Sequence, residues 1–178
     1  NMRDMFYGAF AFNQPIGDWD VSSVTVMQGM FHDATTFNQP IDDWDVSSAT
    51  NLSWMFQNSS FNQPIGSWDV STVTDMSGMF RSATTFNQPI GDWNTSAVTD
   101  MASMFKGATV FNQLIGDWDV SAVTNMANMF HQASAFDQPI GGWNVSSVTA
   151  FNSISHRASS FNQDIGNWDV NNVTDMVG

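Results

Sequence analysis

Seven tryptophans recur down the chain at a nearly fixed step: Trp19, Trp44, Trp68, Trp93, Trp118, Trp143 and Trp168. The step is 25 residues, and 24 only where "FQNSSF" stands in place of "FHDATTF". A chain that repeats itself at such a period buries little within one unit and gains a core only by stacking units. This predicts one segment, 1–178, of about seven 25-residue repeats rather than a single globule. Both ends fall in the same part of the unit, "NMRDMF" and "VTDMVG", so the segment reads as an excerpt from a longer repeat protein.

Each unit divides into three parts. In "VTDMSGMFRSA" the apolar residues Met76, Met79, Phe80 and Ala83 fall at i, i+3, i+4 and i+7, the pattern of one helix face. Thr74 or Ser71 is the expected cap and Asp75 suits a first helical turn. All 12 Met residues lie in two columns of this face, where Leu52 and Phe151 also appear, as a packed core tolerates. In "FNQPIG", recurring Asn and Gln are expected to form amide ladders from unit to unit. "DWDV" reads as a short strand by its Trp and Val. Neighbouring strands would pair in parallel about 4.8 Å apart. The expected fold class is therefore an α/β repeat solenoid: a right-handed, leucine-rich-repeat-like stack of short parallel strands and short helices.

The repeat "MFxxAxxFNQxIGxWDVSxVTxM" resembles the BspA-like leucine-rich-repeat surface proteins, in particular their lipoprotein-type 25-residue units. The likeness covers the whole chain. It implies an extracellular or cell-surface place and an adhesive role, and it carries no catalytic residues. Departures are local: Asn94 and Asn144 for the second Asp of "DWD", Leu114 and Asp164 for Pro, and "AFNSIS" for the usual "DMSGMF".

Charge narrows the partners. The 17 acids are all Asp, against four Lys or Arg, for a net charge of -13. Such a surface is unsuited to nucleic acid. There is no Cys, hence no thiolate site or disulfide framework. No apolar run approaches the ~20 residues that span a bilayer, so no membrane insertion is expected in this segment.

Two Asp columns flank Trp: Asp20, Asp45, Asp69 and Asp119 on one side, Asp18, Asp43, Asp92 and Asp117 on the other. On a strand, i and i+2 share a face, so both columns would lie together opposite an inward Trp. Carboxylates about 4.8 Å apart repel by about 0.9 kcal/mol in water and about 3.5 kcal/mol at an effective dielectric of 20. Oxygen-rich rows of this kind suit Ca²⁺, which makes these eight residues the candidate metal ligands. The Gly at 17, 66, 91, 116, 141 and 166 is the expected place where alternation resets. Screening by water and salt explains the Asp rows without any ion.

The position after the helical Phe runs Tyr7, His32, Gln57, Arg81, Lys106, His131 and His156. A helix C-terminus favours cations there. A basic stripe opposite an acidic sheet would also suit side-by-side association, with Arg81 and Lys106 as contacts. Trp54 and Phe10 break the repeat and are expected to be exposed aromatics that mark contacts, unless they pack against the shortened loop near Asn58. N-x-S/T sequons at Asn51, Asn58, Asn94, Asn144 and Asn172 are candidate glycosylation sites. No G-x-S-x-G elbow is present. The expected function is a non-enzymatic, extracellular adhesion or assembly repeat, with other proteins or copies of itself as partners. The competing class is a calcium-stabilised carbohydrate-binding module.

Overall fold

A computed structural model describes residues 1–177; Gly178, the last residue of the expected repeat segment, lies outside the described residues. The α/β solenoid does not form. Among the described residues there is no helix, and β-pairing is limited to one isolated parallel bridge between successive coils: Val26 to Asn51, Asn51 to Asp75, Asp75 to Asp100, Asp100 to Asn125, Asn125 to Ala150, and Ala150 to Asp175. The chain is a stack of coils made almost wholly of four-residue turns. A leucine-rich-repeat description fails with the helices and the sheet.

One coil shows the rule. N–H to C=O bonds of the i to i−3 kind close turns at 27–30, 31–34, 34–37, 41–44 and 46–49, with lengths of 2.8–3.2 Å. The end residues of these turns are Met27, Met30, Phe31, Ala34, Phe37, Ile41, Trp44, Val46 and Ala49, and every one is buried. The middle residues form the corners, and all but Gly29 are at least partly exposed. Burial at each turn's two ends is thus what places the core.

Two adjacent four-residue turns put apolar groups at i, i+3, i+4 and i+7, which is also the signature of a helix. This is why 76–83 reads as helical and is not. Met79 N–H donates to Met76 C=O and Ala83 N–H to Phe80 C=O, while Gly78 and Ser82, each third in its turn, have φ of 60° and 56°. A positive φ there is the mark of a type II turn. Helical bonds are also unavailable, because alternate N–H groups are committed along the stack. Met76, Gly78, Phe80 and Ser82 donate to Asp100, Ala102, Met104 and Lys106 carbonyls of the next coil at 2.7–3.0 Å.

"DWDV" is likewise two turns, not a strand. Trp19 N–H closes a turn on Ile16 C=O, and Val24 N–H closes one on Val21 C=O. Inward Trp follows, and its invariance has a cause beyond size. Trp44, Trp68, Trp93, Trp118, Trp143 and Trp168 each donate Nε1–H to an Ile carbonyl of the preceding coil at 3.0–3.2 Å. An apolar substitute would remove one of the two donors to that buried carbonyl and leave it only the turn N–H of its own coil.

Two Phe ladders run beside the Trp column. Phe31, Phe56, Phe80, Phe105 and Phe130 stack at 5.7–5.8 Å from coil to coil. Within a coil, Phe80 and Phe86 stand 3.9 Å apart, centroid to centroid, nearly parallel. Asn and Gln do form ladders: Asn87 N–H donates to Asn62 Oδ1 at 2.9 Å, and Gln88 Nε2 donates to Asn62 C=O and Oδ1 at 3.0 and 3.1 Å. The Thr column caps nothing. Thr74 N–H and Oγ1–H both donate to Thr50 C=O, and Thr99 repeats this on Thr74.

Candidate functional site

With turn ends in the core, chemistry is left to the corners. The Asp20 column holds its own coil together. Ser22 N–H and Oγ–H donate to Asp20 Oδ1 at 3.1 and 2.6 Å, and Ser47 does the same to Asp45 at 3.0 and 2.6 Å. Asp69 accepts from Ser71 N–H at 3.0 Å, and Asp119 from Ser121 N–H and Oγ–H at 3.0 and 2.6 Å. This is an Asx turn, in which a short side chain mimics backbone. Asn94 and Asn144 make the same bonds to Ser96 and Ser146, which explains their exchange for Asp.

The second carboxylate column does not share a strand face with the first, since there is no strand. Asp18, Asp43, Asp92 and Asp117 are exposed corner residues of the turns that end on Trp. Among the described residues, no three His or Asp side chains come together as a metal cluster. The eight Asp candidates therefore stand as separate corner carboxylates, half of them engaged by Ser.

Those bonds shift titration. The hydrogen bonds from Ser22, Ser47, Ser71 and Ser121 hold Asp20, Asp45, Asp69 and Asp119 below the usual carboxylate value, and Gln163 does so for Asp137. Asp45 is nudged the other way by Asp69 and Asp20, but less strongly. In the other corner row, burial lowers His131, helped by Lys106, His156 and Arg157. All these folded-state values are depressed, so their stabilising contributions are present above the unfolded pKa and are lost on acidification. The melting temperature should fall first below about pH 6.5 for His131, and again below about pH 3.8 for the carboxylates. His131→Gln should remove the first fall and leave the second, as read by thermal melts from pH 7.5 to 3.

Every Lys, Arg and His lies on corners of the first two turns: Arg3, His32, Arg81, Lys106, His131, His156 and Arg157. Without a helix, no helix dipole gathers them. Arg81 and Lys106 are half-buried in this row, and Phe10 stands out at 64% exposure. Trp54 is not the exposed aromatic expected; it is half-buried. Its indole lies against Gly78, 3.4 Å from where a β-carbon there would stand, and the Arg81 guanidinium lies 5.9 Å over the ring. His32 is 6.4 Å from it, centroid to centroid, and stacks edge-on to Tyr7 at 4.7 Å.

The sequons divide by engagement. Asn51 is half-buried, donating to Asp75 Oδ2 at 3.0 Å and accepting from Ser53 N–H. Asn58 is exposed at a φ of 52° and donates to Asp33 Oδ1 at 2.8 Å. Asn94 and Asn144 are exposed Asx-turn residues, and exposed Asn172 donates to Ser146 C=O at 2.7 Å.

One residue escaped sequence reasoning. Gln57 is buried in the basic row, and its Oε1 is the one buried side-chain polar atom without a hydrogen-bond partner among the described residues. The only signal was a neutral amide in a column otherwise aromatic or basic; its burial was not readable.

The family model described as "Mycoplasma protein of unknown function, DUF285" matches the chain twice, over residues 1–93 and 81–178. The chain belongs to the DUF285 family. The two matches overlap at 81–93 and together cover this DUF285 chain from end to end. No curated protein and no solved structure matches it. Among its described residues no helix is long and apolar enough to cross a membrane.

Proposed function

We propose that this chain is a non-catalytic interaction repeat of the extracellular space or cell surface, working in adhesion or assembly by lateral contact with other proteins, including its own copies. The observation that carries this reading is a partial charge segregation on a stack with one nearly constant step. All Lys, Arg and His occupy corners of the first two turns, shared there only with Asp4 and Asp33, while Asp18, Asp20, Asp43, Asp45, Asp69, Asp92, Asp117 and Asp119 occupy the turns around Trp. Two stacks side by side have the same axial spacing by construction, so opposite charges can meet over several coils in one register. At 0.15 M salt the Debye length is about 8 Å, so the net charge of each copy is screened and the facing edges dominate. The surface location is supported by the likeness of the repeat motif to BspA-like surface proteins.

Sedimentation equilibrium at 0.15 M salt tests the assembly. Reversible association is expected, weakened in the Arg81→Glu/Lys106→Glu double variant. A chain that stays monomeric to high concentration, or a charge-reversed chain that associates equally well, would sink the lateral-contact reading.

A further inference from the structure

Trp54 breaks two rules at once. Its column otherwise holds Asp4, Gly29, Gly78, Ser103, Asn128 and Ser153, all with positive φ. Trp54 has a φ of 62°, a region that large side chains avoid and where strain gathers at functional sites. The two glycines of that column with positive φ, Gly29 and Gly78, stand in the coils before and after it. With no side chain on either neighbour, an indole can lie along the surface, and it does lie against Gly78.

Beside it the basic row runs His32, Gln57, Arg81 over the same three coils. Gln57 belongs to the same turn, its N–H donating to Trp54 C=O at 3.1 Å. Its Oε1 is buried and lacks a donor. A buried acceptor in that state is costly and calls for a hydroxyl or amide donor. Arg81 supplies a cation 5.9 Å over the ring, and His32 a second polar group 6.4 Å away. Asp33, an acid in the preceding coil, accepts from Asn58 at 2.8 Å and lies 3.6 Å from His32 Nε2.

We propose that Trp54, Gln57, Arg81 and His32 form a binding site for a carboxylate-bearing saccharide. The indole gives a platform for the apolar face of a pyranose. Gln57 Oε1 is closed to solvent in the free chain, so the Gln57 side chain turns outward to accept from a ring hydroxyl, and Arg81 pairs with the carboxylate, the geometry that a guanidinium suits best. The site stands on these four residues alone and does not depend on lateral assembly.

Calorimetric titration with sialyllactose, and with lactose as its neutral counterpart, tests it. Sialyllactose should bind with a dissociation constant on the order of 1 mM or tighter, and lactose more weakly. Trp54→Gly should weaken sialyllactose by about tenfold or more. Arg81→Gln should erase the preference for the acidic sugar. Both substitutions install residues that neighbouring coils already carry in those columns, Gly78 and Gln57, so folding is preserved. Gln57→Leu should raise the melting temperature while weakening the sugar, a split that a purely structural glutamine would not show. No heat at about ten times that concentration, or a Trp54→Gly chain that binds as well as its parent, would overturn the site. Sedimentation decides assembly separately, so either proposal can fail alone.

Discussion

Phe105→Ala should lower stability by about 3–5 kcal/mol, the range for a buried phenylalanine truncated in a core that cannot collapse onto the void. Phe105 is fully buried. It stacks on Phe80 at 5.7 Å and on Phe130 at 5.8 Å, and lies 3.9 Å from Phe111 in its own coil. Collapse is prevented by the backbone: Phe105 N–H donates to Met129 C=O at 2.9 Å, and its carbonyl accepts from Ala108. In a stack, stability is the sum of coils and their nearest-neighbour interfaces, so one lost ring weakens two interfaces. Urea unfolding should show a lower midpoint and, if the stack parts at coil 105, a lower slope as well. A loss under 1 kcal/mol would mean that the ladder is not the core it looks to be. The chain carries one natural comparison, Ser155, where the ladder lacks its ring.

Gly116→Ala should cost about 3 kcal/mol, at the upper end for overpacking, because the obstacle is backbone rather than a side chain that can turn aside. A β-carbon on Gly17 would stand 3.0 Å from the Pro40 carbonyl oxygen; on Gly66, 2.7 Å from Pro89; on Gly91, 2.6 Å from Leu114. On Gly116 and Gly141 it would be nearer still to Pro139 and Asp164. The penalty should therefore climb along the stack, least at Gly17 and greatest at Gly141. Gly142→Ala is the control: nothing lies within 4 Å, so thermal melts should barely move. Asp42 occupies this column in the second coil, near the end where the gap is widest. Equal losses at Gly17 and Gly141 would contradict the graded approach of coil on coil.

The glycine column was visible beforehand, but its reason was not. Read as a place where strand alternation resets, it is instead where one coil's carbonyls press on the next. The same holds for the Asp20 column. Its spacing to Ser22 was on view, but only the fold shows the Ser hydroxyl and amide both spent on one carboxylate oxygen. Trp54 stood out by breaking a column. That its indole lies against Gly78 and under Arg81 belongs to contacts with the next coil, and the orphaned acceptor on Gln57 to a burial that residue type does not show.

The sequence by itself determined the period, the alignment of columns, and which residues go inside. Those follow from hydrophobic burial, which is non-directional and can be read from residue type alone. It even held the turn signal, since Gly29, Asp33, Asn58, Gly78 and Gly107 are residues that favour positive φ. What only the tertiary structure decided was where the backbone hydrogen bonds go. An apolar pattern of i, i+3, i+4 and i+7 fits a helix or two turns alike. The tie is broken by N–H groups such as those of Gly78 and Phe80, which find carbonyls in the next coil rather than four residues back. Hydrogen bonds are directional and need a partner at a given place, and here that partner is another coil.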